Sequence, residues 1–131
     1  MSARELLQAR VIVALREAEG LVGVGVFDAP PVRAAAPNLV VEEPLLADWS
    51  AKGVSGREGR VAVLIRDAGE RPVRLRGLTA AAEDAIERIG PALDEGWRIV
   101  VLTLARSRIV RERDGDWVSM SEFRVRMMRT N

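Results

Sequence analysis

The sequence predicts an α+β domain, a two-layer sandwich with two helices packed on one face of a mainly antiparallel sheet. Three observations carry this. Apolar residues recur at helical spacing only behind Ser2 and behind Thr79, three further segments are short and β-branched, and the last third reads as one long hairpin. Short connections in the order α-β-β-β-α-β-β favour antiparallel neighbours and put both helices on the same side. With 131 residues the chain suits a single domain, 1–131, able to bury about two thirds of its unfolded surface.

Ser2 followed by Glu5 is a capping box, and Leu7, Val11, Ala14 and Ala18 continue it as an amphipathic helix ending near Gly20. Val24 to Phe27 suits a short strand. Asp28 to Pro37 must then be loop, because Pro30, Pro31 and Pro37 cannot donate to a ladder. Asn38 to Glu43 is a second strand, stopped by Pro44. Asp48 to Gly59, with three glycines and no apolar period, is expected to be a long mobile loop. Arg60 to Asp67 is a central strand with Val61, Val63 and Ile65 on one face. Thr79 is expected to cap the second helix, whose stripe is Ala82, Ala85, Ile86 and Ile89 and which Gly90-Pro91 ends. Trp97 to Arg113 and Asp116 to Arg129 then pair around Asp114-Gly115, expected as a type I′ turn. That register opposes Leu104 to Val125 and puts Val100, Leu102, Leu104, Phe123, Val125 and Met127 on the core face, with Thr103, Ala105, Ser107, Glu122, Arg124 and Arg126 on the other.

Composition argues against catalysis. The chain has no His, Cys or Tyr and one lysine, Lys52, so acid-base work would fall to carboxylates, and zinc would lack its usual ligands. Glu42 and Glu43, adjacent on a strand, should point to opposite faces and so cannot act as a pair. No catalytic residue, cofactor site or metal site is therefore expected. The glycines at 20, 23 and 25 follow a helix, unlike a dinucleotide fingerprint, and Lys52-Gly53 is not followed by the helix a P-loop needs. Asp114 and Asp116 fit the turn they flank. Absent cysteine suits a reducing cytoplasm, and no apolar run is long enough for a signal peptide or membrane span, so no membrane partner is expected.

The net charge of +1 hides a pattern. Arg60 to Arg76 holds five arginines and two acids, and Trp97 to Asn131 holds eight arginines and four acids, whereas Gly77 to Gly96 holds five acids and one arginine. These are either solvated faces or the two halves of a head-to-tail contact between copies, in which the acidic surface of one meets the basic surface of the next. In the second reading Glu83, Asp84 and Glu87 of the helix meet Arg124 and Arg126 of the neighbouring sheet. Trp49 and Trp117 are either locally packed or interface anchors. A basic strand without interleaved aromatics or a recognition helix does not specify nucleic acid.

Together ELLQARVIVALRE, the Pro-interrupted stretch before NLVVEEP, DWSAKGVSGREG opening onto RVAVLIRD, LTAAAEDAIERI and the hairpin ending EFRVRMMR resemble the tail-terminator (tail completion) family of long-tailed bacteriophages and gene transfer agents. The resemblance spans nearly the whole chain. It implies a structural, non-enzymatic particle protein assembled in the bacterial cytoplasm: a hexameric ring that caps the tail tube, stops its polymerisation and joins the head. The implied partners are copies of itself, the major tail tube protein and head-tail connector proteins, with non-specific contact to DNA passing through the lumen. Trp49, Lys52 and Arg57 then join Glu83, Asp84, Glu87, Arg124 and Arg126 as subunit or tube contacts. An adaptor, a stopper or a tube subunit is the neighbouring reading; a carboxylate enzyme or a nucleic-acid module is the remoter one.

Overall fold

A computed structural model of the chain describes residues 1–130. The capping box forms as the sequence requires: the Ser2 hydroxyl accepts from the Glu5 amide, the Glu5 carboxylate accepts from the Ser2 amide, and helix α1 runs Ala3–Glu17. Strand β1 (Gly25–Phe27) follows, then the proline-rich loop, then β2 (Asn38–Val41), which pairs parallel with β1. All other pairings are antiparallel: β2 and the short β3 (Leu45–Asp48) both join β4 (Val54–Asp67), β4 joins β6 (Trp117–Thr130), and β6 joins β5 (Arg98–Arg111). The main order is β1-β2-β4-β6-β5.

Helices α1 and α2 (Val73–Glu87) cover one face. Leu7, Val11 and Leu15 of α1 and Leu75, Ala82 and Ile86 of α2 meet Leu39, Val63, Ile65, Phe123 and Val125, all buried. The Val, Leu, Ile and Phe side chains among them contribute about 1.5–3 kcal/mol each on burial, which is why the period-2 and period-3.6 stripes dominate the fold. No helix among the described residues is long and apolar enough to cross a membrane.

Four expectations are corrected. Residues 48–59 are not a loop but a hairpin. Ala51 and Val54 exchange backbone hydrogen bonds of 3.0 and 2.9 Å around Lys52-Gly53, with Gly53 at φ 79°, and β4 begins at Val54. The glycines there serve close approach rather than mobility: a Cβ on Gly59 would collide with the Leu45 carbonyl, and one on Gly56 with the Trp49 carbonyl. The second helix starts six residues before Thr79. Thr79 sits buried within it and donates its hydroxyl to the Leu75 carbonyl (2.7 Å), a local bond that competes with its use as a cap.

The third correction is the hairpin. Glu112 donates to the Asp116 carbonyl (2.8 Å) and Gly115, at φ 93°, donates to the Glu112 carbonyl (3.0 Å), so the loop holds three residues with glycine in the left-handed position. The pairing is thereby slipped by one, which alone would turn the apolar set away from the core. The bulge between Leu104 and Arg106 restores it, and a second bulge between Ile99 and Val101 shifts it once more at the far end of β5. Leu104 then opposes Phe123, Leu102 opposes Val125 and Ile99 opposes Met127. Val100, expected inside, is 47% exposed and Ile99 takes its place, while Ser107 opposes Ser121 on the helix side. Finally, β2 ends at Val41, so Glu42 and Glu43 do not alternate across a strand; both border one groove.

The junction of β4 and α2 is held by one ion pair. Asp67 is almost fully buried and accepts from Arg74 Nε (2.8 Å), Arg74 Nη2 (2.6 Å) and the Ala68 amide (2.9 Å). The Arg74 hydrogen bond, with the Ala68 amide and the arginine's charge, holds the carboxyl below its ordinary range against the opposing effect of burial.

Candidate assembly interface

Residues directly opposite on neighbouring strands share a face, so the register assigns each candidate a side. The face away from the helices carries Arg60, Ala62, Leu64 and Arg66 of β4 beside Arg124, Glu122, Met120 and Val118 of β6. It is basic, but unevenly committed. Arg66 is held by Glu112 (3.0 Å), Arg106 by Glu122 (3.3 Å) and Arg126 by Glu58 (3.2 Å), with the Arg126 guanidinium also 4.9 Å from the Trp49 ring centre. Arg60 and Arg124 are exposed, stand directly opposite each other, and have no hydrogen-bonding or ionic partner among the described residues. Like charges in that position destabilise an isolated sheet.

The opposite side of the molecule carries the acidic candidates. Glu83, Asp84 and Glu87 lie at the C-terminal end of α2, where the helix dipole disfavours negative charge. Each has a local bond: Glu83 accepts from the Ser121 hydroxyl (2.6 Å), Asp84 pairs with Arg88 (2.9 Å), and Glu87 accepts from the Leu104 amide at 3.4 Å. Asp84 and Glu87 remain exposed, whereas Glu83 is half-buried against β6. The helix is also less acidic than its flanks suggested, because it begins early enough to include Arg74 and Arg76.

Trp49, Lys52 and Arg57 share the β3–β4 hairpin. Its tip is braced, with the Asp48 carboxylate accepting from the Ser50 hydroxyl (2.6 Å) and from Arg57 (3.3 Å). The Ser50 hydrogen bond, ahead of Arg57, holds the Asp48 carboxyl below its usual range. This tip lies at the end of β4 where Val54 opposes Thr130; the β5–β6 tip lies at the other, where Asp67 opposes Trp117. At about 3.3 Å per residue a strand of this length separates the two tips by about 45 Å. Trp117 is locally packed, its indole donating to the Gly69 carbonyl (3.1 Å) with Arg111 over its ring.

One feature of this face escaped the sequence. Between the open sheet and the 28–37 loop runs a groove of about 1150 Å³, floored by Val40, Ala62, Leu64 and Val118 and bordered by Arg60. Val32 and Leu45 stand on it, 99% and 74% exposed. The exposed apolar pair was visible as residues, but only the register shows that they border the unpaired Arg60.

No group of three or more side chains able to hold a metal ion occurs among the described residues. A family model described as tail completion protein gp17 matches residues 9–128. The chain belongs to the tail completion protein gp17 family. A chain of a solved structure described as the virion of a native gene transfer agent (GTA) particle shares the fold at a TM-score of 0.81 and 26% identity, over 98% of this chain and 99% of that one. No curated protein matches the chain. The tail completion match takes in all eight interface candidates, from Trp49 to Arg126.

Proposed function

We propose that this tail completion protein is a structural, non-catalytic subunit that closes head to tail into a ring, of six copies by the resemblance, on the head-proximal end of a tail tube. There it stops tube polymerisation and offers the surface that joins the head. The observation that carries this reading is the placement of charge: acids on the outer side of α2 and an uncommitted arginine pair on the opposite face of the same sheet. Complementary patches on opposite sides cannot satisfy each other within one subunit, and make a heterologous contact that closes when the rotation allows. Family membership and the likeness to a gene transfer agent virion chain support the particle context.

In this arrangement Asp84 and Glu87, with Glu83 behind them, face Arg124 and Arg126 of the next copy. The β3–β4 tip with Trp49, Lys52 and Arg57 meets the tail tube protein, and the β5–β6 tip, about 45 Å away, meets the connector. DNA crossing the lumen is touched only through backbone charge. Assembly takes place in the bacterial cytoplasm.

The test is to polymerise purified tail tube subunits with and without the chain. The reading expects tubes to stop growing once the chain is added, with the protein at one end only. Continued growth overturns it; incorporation along the whole tube would make it a tube subunit, and binding only to the head connector would make it an adaptor or stopper.

A further inference from the structure

We infer that the groove on the open sheet face is the seat of helix α2 from a second copy of this chain, with Arg60, rather than Arg126, completing the arginine pair that receives its acids. The inference rests on the ring reading and adds to it a groove, an apolar contact and a different arginine.

Three observations converge on α2 as the occupant. Its outward stripe is Val73, Gly77, Ala80, Asp84 and Glu87, all exposed and spaced at helical intervals, so its first half is small and apolar and its second half acidic. The groove has the same two-part chemistry: apolar at Val32, Leu45 and Leu64, cationic at Arg60 beside Arg124. Val73, 58% exposed, and Leu45 and Val32 are among the largest apolar side chains left uncovered, and docking α2 in the groove covers all three. The groove also carries Asp28, Glu42, Glu43 and Glu122 along with Arg33 and Arg66, so the positive charge it offers the acids of α2 is that of Arg60 beside Arg124; Glu42 and Glu43, like Arg76 of the helix, have no side-chain partner among the described residues.

Arg126 is the weaker receiver because Glu58 and Trp49 already occupy it. Arg60 and Arg124 repel each other until a carboxylate lies between them, so binding removes a local cost as well as adding a contact. Helix and groove lie on opposite faces of one subunit. A copy cannot fill its own groove, and the contact propagates from subunit to subunit.

The chain has no cysteine, so single cysteines report cleanly. Leu45→Cys and Ala80→Cys are both at exposed positions, and unchanged thermal melts check that each variant folds. The two are mixed in the presence of tail tube subunits and treated with a short bis-maleimide, with wild-type association followed by native mass spectrometry. The expected result is a covalent dimer in the mixture, none in either variant alone, and a ladder from the double variant. Adding Arg60→Glu should lower the dimer yield about tenfold, while Arg126→Ala should leave it within about twofold. Wild-type oligomers without cross-linking in the mixture overturn the groove assignment and leave the ring standing. Cross-linking in one variant alone overturns it in favour of a two-fold contact. Absence of any wild-type oligomer overturns both.

Discussion

Converting both Arg124 and Arg126 to glutamate should leave the fold intact and abolish ring assembly. The two side chains project from β6 on the face away from the helices, while their neighbours Phe123, Val125 and Met127 fill the core. The fold loses only the Arg126–Glu58 pair and its stacking on Trp49, a partly exposed arrangement contributing no more than about 1 kcal/mol. The intersubunit contact changes more, because each copy then presents two negative charges in place of two positive ones to the acidic end of the next α2, and like-charge juxtaposition across an interface costs several kcal/mol. Adding Asp84→Arg and Glu87→Arg should restore part of the assembly. Glu83 is the poorer rescue site, because replacing it breaks its hydrogen bond to Ser121 inside the subunit. Native mass spectrometry and tail lengths by electron microscopy read the result; rings and normal tails from the reversed variant place the contact elsewhere.

Asp67→Ala should lower stability by about 2 kcal/mol near neutral pH, since it leaves the Ala68 amide unpaired and cuts the tie between β4 and α2. For a domain of this size that is a fall in Tm of about 8 °C. The effect has a pH signature. The folded-state pKa of Asp67 lies below the unfolded value of about 3.9, so its contribution is fully present above that value and disappears as pH falls through the lower folded one. Wild type should therefore lose stability on acidification below about pH 4 more steeply than the variant, and the two melting curves should converge. Parallel pH profiles would show that this pair does not carry the acid sensitivity of the junction.

How much of this was legible in the sequence depended on whether a signal was local. The capping box at Ser2 and Glu5, the apolar stripes of α1 and the alternation of Val61, Val63 and Ile65 act over a few residues, and each appears where it was expected. Thr79 misled because a hydroxyl before an apolar run serves equally as a cap or as an internal bond to the preceding turn, and only the packing of Leu75 beneath it decides. Gly56 and Gly59 misled for a related reason: glycine marks either a flexible backbone or a place where another strand comes too close for a side chain. The hairpin faces were mostly legible despite the wrong turn, because the bulge between Leu104 and Arg106 compensates the slip that Gly115 introduces, and only the second bulge, between Ile99 and Val101, exchanges Val100 for Ile99. Arg124 could be chosen from its alternation along β6, but Arg60 lies 64 positions earlier and meets it only through register. The groove was beyond sequence reading, since it is bounded by four strands and a proline-rich loop whose relative heights are set by tertiary packing.

The central claim is that copies of this chain close head to tail at one end of a tail. The most direct measurement is high-resolution electron microscopy of the head-proximal end of assembled tails, with the density there fitted by this fold. The account predicts one closed ring, six copies by the resemblance, in which the outer stripe of each α2 lies against the open sheet face of the next subunit, with Asp84 and Glu87 within ion-pair distance of Arg60 or Arg124. A ring joined through equivalent faces, an α2 turned to solvent, or density for this chain along the length of the tube would contradict it.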